Sequence, residues 1–137
     1  MAVEGVLEVG VAVKDLDEAM KRFVDVLGVT PGRTDIYDRY GMRFNLCSLG
    51  GVYFEFIESI TSDGAMARSV ERRGEGVHHI ALKVTDLDET MEQWRRLGIR
   101  FTEEEPLYLD VSYGRVKFTF AHPASLHGVL IELIEIL

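Results

Sequence analysis

Two stretches of this chain read almost alike, and that internal repeat limits its fold more than any other feature. Leu7-Glu8-Val9-Gly10-Val11-Ala12-Val13-Lys14-Asp15-Leu16-Asp17-Glu18 aligns with His78-His79-Ile80-Ala81-Leu82-Lys83-Val84-Thr85-Asp86-Leu87-Asp88-Glu89, an offset of 71 residues. Met20 then meets Met91, and Phe23 meets Trp94. Further on, Tyr40-Gly41 meets Tyr113-Gly114, and the run Val52 to Glu58 meets Val129 to Glu135. Ordered matches of this kind are the mark of a duplicated supersecondary unit.

Each copy opens on a Val- or Ile-rich run, read as a strand. A helix follows, with Asp15 and Asp86 as N-caps and Glu18 and Glu89 three residues on. Leu16, Ala19, Met20, Phe23, Val24 and Leu27 make one apolar face at helical spacing, and Leu87, Met91, Trp94 and Leu97 another. Gly28 and Gly98 end the two helices. Three more strands are predicted in each copy, over about 33–38, 42–49 and 52–59, then about 100–104, 115–121 and 128–136. Module one runs over about 1–61, a connecting helix over about 62–73, and module two over about 77–137. The chain of 137 residues is thus one domain of two tandem βαβββ modules, in the α+β class.

A formal net charge of −8 argues against a nucleic-acid or anionic-membrane partner. No apolar run reaches the ~18 residues of a membrane helix, and no signal peptide is legible, so a cytoplasmic location is expected. Cys47, the one cysteine, allows no intrachain disulfide and reads as a buried thiol.

Chemistry concentrates where the repeat places charge inside apolar runs. Glu55 lies within Val52 to Ile57, and Glu132 within Val129 to Ile134. A carboxylate in such company costs several kcal/mol unless it is paired, protonated or bound to a metal. The repeat equates Glu55 with Glu132 and Glu8 with His79. Strand alternation sets Glu8, Gly10 and Ala12 opposite Val9, Val11 and Val13, and His79, Ala81 and Lys83 opposite Ile80, Leu82 and Val84. His78 falls on the core side by the same parity. Three carboxylates and one imidazole form a candidate site for a divalent metal ion, with Mn, Mg, Co or Ni favoured over zinc of the thiolate type. Glu58 and Glu135, also equated by the repeat, read as surface charges.

The run Arg72-Arg73-Gly74-Glu75-Gly76-Val77-His78-His79-Ile80-Ala81-Leu82, with His122-Pro123 and Gly128-Val129-Leu130-Ile131-Glu132-Leu133, resembles the methylmalonyl-CoA epimerase family. That family lies in the vicinal oxygen chelate superfamily with glyoxalase I and the extradiol dioxygenases. The resemblance implies curved mixed sheets around a central cavity that encloses a divalent ion (Co, Mn, Ni, Mg or Zn), an acyl-CoA thioester as substrate, and a homodimer. His79, Glu55 and Glu132 match metal-ligand positions. Glu8 stands where the epimerases have histidine. Phe44 stands where some place a second catalytic glutamate, and Ala124 replaces a lysine common after His-Pro. By resemblance Glu132 moves the α-proton on one face of the substrate. Glu8 is the candidate for the other face, and Lys117 matches a basic position near substrate. Two other readings stay open: a glyoxalase I-like enzyme on a different carbonyl compound, and a member that binds a small molecule without converting it.

Overall fold

The computed structural model describes residues 3–137. Its elements run β1 (Val3–Ala12), α1 (Leu16–Leu27), β2 (Thr34–Tyr37), β3 (Met42–Leu49), β4 (Val52–Ser59), α2 (Ala65–Arg73), β5 (Gly76–Val84), α3 (Leu87–Arg96), β6 (Leu107–Val111), β7 (Gly114–Ala121) and β8 (Ile131–Ile136). The class is α+β. Contacts divide the chain into one unit spanning Glu8–His78 and another that joins His79–Leu137 to the residues up to Leu7. Strand β1 therefore belongs partly to each unit.

In the first unit the strand order is β2-β3-β4-β1. Hairpins make β2, β3 and β4 antiparallel, and β1 lies parallel to β4. A parallel pair needs a crossover, and the long path through α1, β2 and β3 supplies it. The second unit repeats the scheme in the order β5-β8-β7-β6, with β5 parallel to β8.

Local chemistry accounts for the helices. Asp15 accepts a hydrogen bond from Glu18 N at 3.0 Å, and Asp86 accepts one from Glu89 N at 3.0 Å. Each satisfies an amide the first helical turn leaves open. Gly28 closes α1 in the left-handed region at φ 72°, which a side chain would resist. Helix α3 stops one residue sooner, with Leu97 as its cap. Val9, Val11 and Val13 pack with Leu16, Met20, Phe23 and Phe56 in the core of the first unit. Leu82, Val84, Leu87, Met91, Trp94 and Leu133 do so in the second. The helical periodicity overreached at both helix ends: Leu27 and Leu97 lie exposed, beyond the last turn that meets the sheet.

The strand expected over 100–104 forms at Leu107–Val111, and only Phe101 makes an isolated bridge, to Ala121. Three successive glutamates and Pro106, which has no N–H, account for the gap. Cys47 is fully buried, and desolvation pushes its thiol up to about 11 against an opposing backbone hydrogen bond from Gly32. Among the described residues, no helix is long and apolar enough to cross a membrane.

Candidate metal centre

Register assembles the site residues as two matching pairs. In the first unit Glu8 lies opposite Tyr53, and Gly10 lies opposite Glu55. Side chains two apart on a strand share a face, so Glu8 and Glu55 are diagonal neighbours on one surface of the sheet. Both are buried, at 3% and 7% exposure, and each offers a carboxylate oxygen within 4.8 Å of one from the other. In the second unit Ala81 lies opposite Glu132, which makes His79 and Glu132 the same kind of diagonal pair. Their exposures are 4% and 7%. His79 Nε2 stands 3.0 Å from Glu132 Oε1, an ion pair when the ring is protonated. Gly10 and Ala81 are the small residues within each pair, and they leave room in front of the sheet.

The remaining residues of each face are mostly apolar. Leu46 is opposite Glu55, and Phe44 is opposite Ile57. Phe44 is almost wholly buried, so no proton-transfer group stands at its position. In the second unit Phe120 is opposite Glu132, and its ring meets the His79 ring edge-on with centroids 5.3 Å apart. Apolar walls of this kind strengthen the interactions of any charge held between them.

The opposite face of each sheet carries a second repeated device. Glu58 pairs with Arg43 at 2.6 Å and accepts a hydrogen bond from Leu16 N at 3.4 Å. Glu135, its repeat mate, accepts one from Leu87 N at 2.7 Å. Each carboxylate sits at a helix N-terminus, where the backbone dipole favours it. The reading of Glu58 and Glu135 as surface charges is thus corrected: they tie α1 and α3 to the strands below. Lys117 belongs to this device. It lies opposite Glu135 and pairs with Asp88 in the first turn of α3. The Asp88 hydrogen bond raises its pKa above the ordinary lysine value. Strand alternation puts Lys117 on the reverse side of the sheet from Glu132. Arg43 is its counterpart, its pKa raised first by the hydrogen bond to Glu58.

This fold and these paired buried residues define a class. The profile of the Glyoxalase/Bleomycin resistance protein/Dioxygenase superfamily matches residues 8–135, and the chain belongs to that superfamily. Within it, the chain is 28% identical over 126 residues to the mitochondrial methylmalonyl-CoA epimerase of Bos taurus, across 91% of this chain and 70% of the bovine one. It is 27% identical to the protein YqjC of Bacillus subtilis (strain 168), across 93% of this chain and 89% of that one. The crystal structure of methylmalonyl-CoA epimerase from Mycobacterium tuberculosis superposes with a TM-score of 0.92 at 30% identity, covering 99% of this chain and 90% of that one. The expected glyoxalase-like fold is therefore the fold observed.

Proposed function

We propose that the chain is a metal-dependent epimerase of an acyl-CoA, acting on methylmalonyl-CoA or a close relative. What supports the reading is the donor set of two buried pairs, Glu8 with Glu55 and His79 with Glu132, whose residue types suit a metal ion. One imidazole and three carboxylates suit a divalent ion of the magnesium-to-cobalt range. The chemistry of the set also asks for one. Two ionised carboxylates within 4.8 Å repel by about 3.5 kcal/mol at an effective dielectric of about 20, and a bound cation turns that cost into attraction. When bound, such an ion supplies a Lewis acid for the carbonyl and carboxylate oxygens of the substrate.

The chain's own residues do the rest. Epimerisation removes a proton at C2 and returns one to the opposite face. Each ligand carboxylate has two oxygens, so one can hold the ion while the other handles a proton. Glu132 takes this role on one face of the substrate. Glu8 takes it on the other, since the Phe44 position is hydrocarbon. The apolar residues Phe44, Leu46 and Ile57 keep water from the exposed carbanion. In deuterated water, cobalt-replete chain should exchange the C2 proton of methylmalonyl-CoA for deuterium. Glu132→Gln should slow that exchange by about a hundredfold or more. Absence of both exchange and epimerisation would rule the reading out.

The hydrocarbon at Phe44 favours one rival, a reaction that needs a base on a single face, as in glyoxalase-type isomerisation. Turnover of a glutathione hemithioacetal, with no exchange on methylmalonyl-CoA, would select it.

A further inference from the structure

We propose that Lys83 is the cation that anchors a phosphate oxyanion of the CoA part of the acyl-CoA substrate. This rests on the acyl-CoA reading above. Three lysines and arginines are half-buried among the described residues: Arg43, Lys83 and Lys117. Two are committed. Arg43 holds Glu58 and Asp17, and Lys117 holds Asp88, all on the helix side of their sheets. The third differs on both counts.

Lys83 is on β5 with His79 and Ala81, at alternate positions of one strand, so it shares their face. It lies opposite Ile134, two residues beyond Glu132 on β8. Its stem therefore runs along the same surface as the two ligands of this unit, over buried Ala81, Ile134 and Phe118. Among the described residues its ammonium has no hydrogen bond or ion pair. Its stem is half-buried while its ammonium has no protein partner among the described residues, which leaves the charge available to an incoming anion. The site also needs such a group. A chain of net charge −8, with three carboxylates at its proposed centre, repels an anionic substrate unless positive charge stands nearby. Four residues of strand separate Lys83 from His79, about 13 Å. Lys83 is thus too far to join the ligands and well placed for a more distant part of a long substrate. In the repeat its counterpart is Ala12, so the charge belongs to one module and gives the substrate a single orientation.

Lys83→Met keeps the stem and removes the charge, and Lys83→Arg keeps the charge. Calorimetric binding of methylmalonyl-CoA, propionyl-CoA and methylmalonyl-pantetheine should be compared in the full chain, with Lys21→Met, an exposed lysine of α1, as the control for net charge. Lys83→Met should weaken methylmalonyl-CoA about tenfold, with melting temperature and metal binding unchanged, while Lys83→Arg and Lys21→Met stay within about twofold of the parent. The loss should recur with propionyl-CoA and vanish with methylmalonyl-pantetheine; the reverse pattern, a loss that follows the substrate carboxylate, would overturn the assignment. Parent-like binding of all three compounds by Lys83→Met would overturn the assignment and leave the epimerase reading standing. Failure of the parent to bind any of them would overturn both.

Discussion

Replacing Glu8 by glutamine should have opposite effects on the metal-free and the metal-loaded protein. The substitution keeps the shape and removes one charge from a pair of buried carboxylates whose oxygens lie within 4.8 Å of each other. At an effective dielectric of about 20, their mutual repulsion is about 3.5 kcal/mol when both are ionised. Structural relaxation and residual solvent screening reduce what is recovered to about 1–2 kcal/mol. For a domain of this size that is a rise of about 3–8 °C in the melting temperature of the chelator-treated chain. The gain on adding cobalt should shrink, because an amide oxygen is a weaker ligand than a carboxylate. A tenfold weaker site costs about 1.4 kcal/mol of metal-dependent stabilisation at saturating metal. Scanning calorimetry with and without metal reads both effects. A Glu8→Gln chain that melts lower than the parent without metal, and gains as much from cobalt, would refute the reasoning.

Asn45 is a stability test away from the site. It accepts from Gly32 N at 2.9 Å and donates to Gly32 O at 2.8 Å and Thr34 Oγ1 at 3.1 Å, so Asn45→Ala strips the entry to β2 of its partners and should cost about 2–3 kcal/mol in urea unfolding. Cys47, fully buried and held at about 11, should resist iodoacetamide at pH 8 in the folded chain and react readily in denaturant. Its raised pKa also means the folded state keeps a proton that the unfolded state gives up first. It should therefore subtract stability progressively between about pH 9 and 11, and Cys47→Ala should flatten that part of the stability profile.

Much of this was legible because strand alternation has a period of two. The repeat fixed which residues were equivalent; parity then put Glu8 and His79 on the surfaces away from the helices, and Glu55 and Glu132 stood out as charges inside apolar runs. The Asp15 and Asp86 caps were legible for a similar reason: a helix start is decided within four residues. The misplaced elements depend on longer range. The second strand of module two moved to Leu107–Val111 because its edge is set by pairing with β7, which local pattern does not report. Leu27 and Leu97 continue a helical stripe past the point where the sheet ends. The partner of Lys117, Asp88, lies 29 residues away, and only the register of β7 against β8 reveals which side of the sheet Lys117 occupies. The signal for Glu58 and Glu135 was present, since each follows a buried glutamate by three residues and so takes the opposite face. Lys83 was on the correct face from the start, and only its lack of a partner among the described residues singles it out.

The proposed function requires Glu8, Glu55, His79 and Glu132 to be the ligands of one metal ion. Equilibrium dialysis of chelator-treated chain against cobalt measures this directly, with Glu8→Ala, Glu55→Ala, His79→Ala and Glu132→Ala alongside. One ion per parent chain is expected, with affinity reduced by each of the four substitutions. Two ions per chain, or an affinity left unchanged by any one of the four substitutions, would contradict it.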